Sequence, residues 1–370
     1  MAEQSVTMAP GTGGRRTEWL APLARRAEGV VLPVAALIAG FALFALFLLM
    51  LGKSPVDFYE LVYKAGFGTA FSWQNTLSRA APLLFAALCV ALPARLGLVV
   101  IGGEGAIVLG GTATGALGVC LAGTPGVVGL PLMALGGALT GALWIGAVGA
   151  LRHYRGVNET IASLLMAYIG IALMNFLVEG PLRDPASLNK PSTAPLPRSL
   201  QVGDIPGMDV HWGLIVALVC CVLTWVLIER TSWGFAARIA GGNVRAAQVQ
   251  GLPVGRLIVG FTALGGAFAG LAGFYEVAAV QGSANASLAA GYGYTGILIA
   301  FLARQNPLAI IPVAILLAGF EASSGLVQRR MDLPDATILV LKAVVFVVIL
   351  VSDTLYGRFR LFSPERWRTR

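Results

Sequence analysis

Charge is scarce in this 370-residue chain: 12% of its residues are Asp, Glu, Lys or Arg, against about 25% in soluble domains. A water-facing globule of this length would lack the polar residues to coat its surface, so an ordinary soluble protein is excluded. Histidine is rarer still. His153 and His211 border different apolar runs, and the four cysteines, Cys89, Cys120, Cys220 and Cys221, all lie inside such runs. Neither set has the spacing of metal ligands or of a disulfide framework, which argues against a metal site and against haem, zinc or redox chemistry. No His/Asp/Ser constellation supports a membrane enzyme.

What the chain has is long hydrophobic runs, with 57% of its residues apolar. The runs cover 30–51 and about 76–95, 100–122, 125–151, 160–179, 212–228, 257–280, 291–303, 308–327 and 336–352. Most approach the roughly 20 residues that a bilayer crossing needs; 291–303 is short enough for a half-helix. The predicted fold is all-α, a polytopic membrane protein of about ten transmembrane helices occupying 30–352. The segment 1–29 is a basic N-terminal tail and 353–370 a basic C-terminal one. Between them, 52–73 contains a short surface helix, 182–210 is a Pro-rich outer loop and 229–256 a polar cytoplasmic loop.

The net charge is +8, but the basic residues sit between apolar runs, where they orient a membrane protein and meet lipid headgroups rather than nucleic acid. Arg15, Arg16, Arg25, Arg26, Arg95, Arg152, Arg155, Arg230, Arg238, Arg245, Arg256 and Arg304 fall on one side of a ten-crossing topology. That excess places both termini in the cytoplasm, with Arg329 and Arg330 as a local exception on the outer side. The 47 glycines concentrate in the runs, including the GxxxG pairs Gly111 and Gly115, Gly137 and Gly141, and Gly266 and Gly270; close helix packing explains them.

Two patterns imitate nucleotide sites. Gly291-Tyr-Gly-Tyr-Thr-Gly296 fits GxGxxG but follows no strand, and Gly52-Lys53-Ser54 lacks a phosphate loop's first glycine, since Phe47 stands there. The chain therefore carries no nucleotide cofactor of its own. Ionisable residues inside apolar runs need a partner or a pathway role. Glu104, Glu276, Glu321, Lys342 and Arg79 are such residues, and the depths of Glu321 and Lys342 favour an intramembrane ion pair, with solute contact as the other reading. Ile101-Gly-Gly-Glu-Gly-Ala106 and Gly291-Tyr-Gly-Tyr-Thr-Gly296 open hydrophobic runs in opposite halves of the chain, as interrupted helices do beside a transport path. Tyr292 and Tyr294 suit stacking on a ring-bearing solute or an interfacial belt. In 229–256, Asn243 reads as the N-cap of a two-turn helix, Val244 to Gln250, ended by Gly251 and Pro253. Such a polar knob suits docking into a partner protein or resting on headgroups.

Four stretches carry a family resemblance: Gly97-Leu-Val-Val-Ile-Gly-Gly-Glu-Gly105, Gly156-Val-Asn-Glu-Thr160 running on to Tyr168, Gly242-Asn-Val-Arg-Ala-Ala247 with Gly251, and Gly291-Tyr-Gly-Tyr-Thr-Gly-Ile297 leading to Asn306-Pro307. In order and spacing the chain resembles, over about 55–352, inner-membrane permeases of bacterial ABC importers in the ribose, branched-chain amino acid and nucleoside branch. It is most similar to nucleoside-type permeases served by basic-membrane-lipoprotein binding proteins. The resemblance implies two inverted repeats, a second permease copy or homologue, two cytoplasmic ATP-binding subunits that hold ATP and Mg, and an extracytoplasmic solute-binding protein. It implies ATPase coupling through Asn243, Val244, Arg245, Ala246, Ala247 and Gly251, with Asn158 and Glu159 as a further contact. Glu104, Tyr168, Glu276, Tyr292 and Tyr294 are the expected pathway residues. The nucleoside branch usually has Asn, Gln and Asn where Val100, Ala106 and Ala167 stand here, so a ribose-like sugar is the alternative solute. A stand-alone ion-coupled transporter, with Glu104 or Glu276 carrying protons, is the rival mechanism.

Overall fold

The computed structural model describes residues 34–334 and 336–355; the predicted tail at 1–29 and nearly all of the tail at 353–370 lie outside the described residues. Every apolar run becomes a helix. In chain order these are α1 (Val34–Met50), α2 (Pro55–Phe67), α3 (Ala70–Ala94), α4 (Gly103–Cys120), α5 (Gly126–Arg155), α6 (Glu159–Glu179), α7 (Gly213–Arg230), α8 (Ser232–Gly242), α9 (Val244–Val249), α10 (Val254–Tyr275), α11 (Tyr292–Leu302), α12 (Pro307–Met331) and α13 (Ala336–Leu355). Among the described residues no named strand forms, only two isolated bridges, Ser192 with Asn285 and Asp204 with His211.

Among the described residues six helices are long and apolar enough to cross a membrane: α3, α5, α6, α7, α12, and α10 continued to Gln281. α1, α13 and the segment holding α11 are shorter apolar helices, and α4 has 18 residues with Glu104 in its first turn. Short polar side chains start several helices by accepting from otherwise orphaned amides. Thr69 accepts from Ser72 N, Asn158 from Thr160 N and Ile161 N, Asn243 from Ala246 N, and Asn306 from Leu308 N. The predicted surface helix in 52–73 is α2. The polar loop 229–256 holds one helix more than expected, α8, which Thr231 caps.

The chain divides into two units, one from its two ends (to Pro55, and from Leu339) and one from Val56 to Ile338. In the first, α1 meets α13 at Gly40, where a β-carbon would stand 3.1 Å from Val345 Cα. In the second, α4, α5 and α10 cross glycine upon glycine. Gly137 and Gly141 of α5 leave no room for a β-carbon on Gly270 and Gly266 of α10, and a β-carbon on Gly110 of α4 would stand 2.6 Å from Gly270 Cα. The GxxxG pairs at 137/141 and 266/270 thus build one internal crossing, where backbones pack closely in a solvent that supplies no hydrophobic drive.

Gly270→Ala should push α4, α5 and α10 apart and cost about 1–3 kcal/mol, read as a lower thermal unfolding midpoint in detergent by tryptophan fluorescence. Gly260→Ala, on the same helix with nothing within 4 Å, should leave that midpoint unchanged or raise it slightly.

Candidate functional site

Glu104 is the most heavily constrained charged residue of the larger unit. It is 1% exposed, and its two carboxylate oxygens accept from the backbone amides of Gly291 (2.7 Å) and Gly293 (2.6 Å). Those amides open α11, so the carboxylate caps a helix from another part of the chain while lying in the first turn of its own helix. Both N-terminal dipole ends favour the negative charge. Glycine is required twice: Gly291 sits at φ +84°, and a β-carbon on Gly293 would drive into the Glu104 backbone. The two Gly-rich openings, far apart in sequence, therefore meet.

The same turn of α11 faces two more carboxylates. Tyr292 and Glu276 line the same cavity, and Thr295 Oγ1 donates to Glu321 Oε1 at 3.4 Å. Glu276 is 4% exposed and begins a π-helical turn, Glu276–Gln281, that ends α10. Widened turns of this kind recur at functional sites. Within it a chain of side-chain bonds runs from Asn285 Nδ2 to Gln281 Oε1 (2.9 Å) and from Gln281 Nε2 to Glu276 Oε1 (3.0 Å).

These groups line a cavity of about 460 Å³, inside the range of about 300–1,000 Å³ typical of small-molecule sites. Asn75, Ser78 and Arg79 of α3 form one side; Glu276, Gln281, Asn285, Ser287 and Tyr292 form another, and Lys190 comes from the Pro-rich loop. That loop is stitched along 278–284 by Val202 N to Ala278 O (2.8 Å), Leu196 N to Gly282 O (2.7 Å) and Thr193 N to Ala284 O (2.9 Å). His211 anchors the loop's end to α3: its Nδ1 accepts from Gly213 N (3.1 Å) and its Nε2 lies 3.2 Å from Ser78 O. The lining offers donors, acceptors and both signs of charge around one aromatic edge, a surface suited to a hydroxyl-bearing polar solute.

At the far end of α3 a second polar cluster forms. Arg95, the C-cap of α3, donates through Nη2 to Gln305 O (3.1 Å) and lies 3.7 Å from Glu229 of α7. Glu229 also accepts from Arg238 of α8 at 2.8 Å. Beside it, α9 starts and ends where the sequence indicates. Val244, Arg245, Ala246 and Val249 are exposed, Ala247 is buried, and Gly251 turns the chain at φ +75°.

The structure gathers Glu104, Glu276 and Tyr292 around one helix start. Tyr294 on α11 and Tyr168 on α6 are instead substantially exposed, 40% and 60%. Asn158 is spent on capping α6, and Glu159, 9% exposed, pairs with Arg152 at 3.2 Å. Lys342 is 7% exposed on α13. Sequence reasoning singled out Arg79 without assigning it to a site, and missed Asn75, Ser78, Lys190, Gln281, Asn285 and Ser287. The available signal was two knots of short polar residues, 75–79 and 281–287, each bordering an apolar run.

Apolar helices of membrane-spanning length and a polar, ligand-sized cavity fit a membrane transport protein. More particularly, this chain belongs to the family described as branched-chain amino acid transport system / permease component, whose model matches residues 72–352. It is 33% identical over 341 residues to the glucose ABC transporter permease protein TsgB13 of Haloferax volcanii, with 89% of each chain covered. It is 29% identical to the guanosine ABC transporter permease protein NupP of Bacillus subtilis (89% of this chain, 95% of that one). With the nucleoside ABC transporter permease protein NupB of Lactococcus lactis it shares 24% (86% and 90%). The chain is an ABC transporter permease, a membrane subunit rather than an enzyme; ATP is hydrolysed in separate subunits. That sets aside the ion-coupled stand-alone mechanism.

Glu104→Gln would turn an amide NH₂ toward one of the two glycine amides, leaving buried donors face to face. It should cost about 2–3 kcal/mol and lower the unfolding midpoint of the purified protein, with Glu104→Ala at least as damaging.

Proposed function

We propose that this chain is the translocation subunit of an ATP-driven importer in the bacterial cytoplasmic membrane, and that its solute is a nucleoside. It crosses the membrane ten times in two inverted repeats with both termini inside. A second permease, two ATP-binding subunits and an extracytoplasmic solute-binding protein complete the transporter. Solute passes by alternating access, and ATP and Mg act only in the partner subunits.

The observation that carries this reading is the placement of two polar sites at opposite ends of α3. A rise of about 1.5 Å per residue puts Asn75 and Arg95 about 30 Å apart, close to the thickness of a bilayer's hydrocarbon core. The arginine-rich end, with Arg95, Arg230, Arg238, Arg245, Arg256 and Arg304, is cytoplasmic by the positive-inside rule. There α8 and α9 project exposed Trp233, Phe235, Val244 and Val249, a surface for the ATP-binding subunits, with Asn158 and Glu159 flanking it. The cavity then lies toward the solute-binding protein, and Glu276, Tyr292, Asn285 and Arg79 receive the solute. Tyr168 and Tyr294 belong to the path beyond it.

The guanosine and nucleoside permeases among the relatives favour a nucleoside, as does a ligand-sized lining of amides, hydroxyls and a carboxylate around Tyr292. Val100, Ala106 and Ala167 are fully buried and are not among the residues that line the cavity. The glucose permease at 33% identity supports a sugar as the second reading. Both solutes share a hydroxyl-rich ring.

Proteoliposomes holding the complete transporter, supplied with its solute-binding protein and labelled guanosine, uridine, ribose or glucose, separate these readings. Nucleosides should accumulate only with internal ATP. Accumulation of sugars alone would replace the nucleoside reading, and uphill uptake without the ATP-binding subunits would end the importer reading. Glu276→Gln preserves an acceptor for Gln281 while removing the charge; it should reduce uptake about tenfold or more, the loss expected for one hydrogen bond to a charged group, with the unfolding midpoint little changed.

A further inference from the structure

We infer that Arg95 is a positioning residue that couples the α8–α9 segment to the cavity by holding the turn that follows α11. The inference rests on the reading of α8–α9 as the surface that meets the ATP-binding subunits.

Two elements meet this side chain, which itself belongs to the end of α3, and a third, α8, reaches it through Glu229 and packs on its backbone. Its Nη2 donates to Gln305 O at 3.1 Å and lies 3.7 Å from Glu229 Oε1, and Glu229 Oε2 accepts from Arg238 of α8 at 2.8 Å. Gly241 of α8 packs so closely on the Arg95 carbonyl that a β-carbon there has no room. The side chain therefore links the end of α3, the α7–α8 corner and the α11–α12 turn, and because Nη2 alone makes both contacts, a cation with a donor at that position suffices.

The turn it holds is strained. Arg304 and Gln305 are consecutive non-glycine residues at φ +51° and +58°, a left-handed pair that persists only where surrounding contacts over-determine it. The Arg95 bond to the Gln305 carbonyl is one such contact; Gln305 N to Ala300 O at 2.7 Å and Arg304 N to Phe301 O at 2.9 Å are others. Among the described residues Arg95 Nε is buried without a hydrogen-bond partner. On this inference the turn exchanges between two arrangements, which is what transmission between distant sites requires.

Both elements that Arg95 grips end at the cavity. α11 begins at the Glu104 contact and carries Tyr292 on the lining, and α3 carries Asn75, Ser78 and Arg79. A displacement of α8 by the ATP-binding subunits pulls on Glu229 and Arg95, frees or re-forms the 304–305 turn, and shifts α11 against the lining.

The test measures ATP hydrolysis and solute uptake in the same proteoliposomes, with the complete transporter and its solute-binding protein. Arg95→Gln should lower the solute moved per ATP about tenfold while hydrolysis stays within about twofold of wild type, and Arg95→Lys, which retains a cation and a donor, should recover most of the ratio. An unchanged ratio in Arg95→Gln overturns the inference, as does a proportional fall in both activities that Lys does not rescue. If Arg95→Gln fails to assemble, Glu229→Gln takes its place: a reduced ratio supports the inference and an unchanged one overturns it. Failure of the underlying reading looks different. It would show in the wild-type complex, as the lack of any cross-link between a cysteine at position 249 and the ATP-binding subunits while ATP-driven uptake proceeds.

Discussion

A carboxylate sealed among apolar helices can persist only if its oxygens are satisfied, and in this protein Glu104 is satisfied by the first amides of a helix from the other half of the chain. That single requirement organises much of the larger unit. It demands a left-handed Gly291, a β-carbon-free Gly293 and a helix that starts at Tyr292. Once α11 is pinned there, its first turn places Tyr292 on the cavity that Glu276 also lines and presents Thr295 to Glu321.

The cavity follows from the same economy of polar groups. Lipid tolerates irregular backbone only where protein or water covers it, and the irregular stretch from Glu276 to Ala290 is covered by the Pro-rich loop through a run of backbone hydrogen bonds. The loop and the π-helical turn satisfy one another along one edge and expose side-chain amides, hydroxyls and charges along the other. Glycine-on-glycine contact among α4, α5 and α10 provides the rigid support behind them. The proposed function rests on two ends of one frame, joined by α3 and α11: a polar receptacle at one end and an arginine-held corner at the other.

How much of this is legible in the sequence depends on the range of the interaction concerned. Apolar runs and capping residues act within a few positions, so the helices and the Asn243 start of α9 are readable directly. α8 escaped because its signals are mixed: an N-cap threonine and apolar positions, but two terminal glycines and too little length to stand out in a polar stretch. Asn75, Gln281 and Asn285 escaped for another reason. Amides near the ends of apolar runs are ordinary, and they acquire meaning only when α3 and the π-helical turn face each other.

By itself, then, the sequence determined that the chain is a helical membrane protein, where most of its helices begin, and which segments are rich in arginine. Those are consequences of hydrophobic length, caps and charge, which are local quantities. Only the tertiary structure decided that the two Gly-rich openings touch through Glu104, that Glu276 lines a cavity whereas Tyr168 does not, and that Arg95 reaches the turn after α11. Each of these depends on which helix faces which, and that is set by close backbone approach at glycines and by long-range hydrogen bonds whose partners lie up to 210 residues apart.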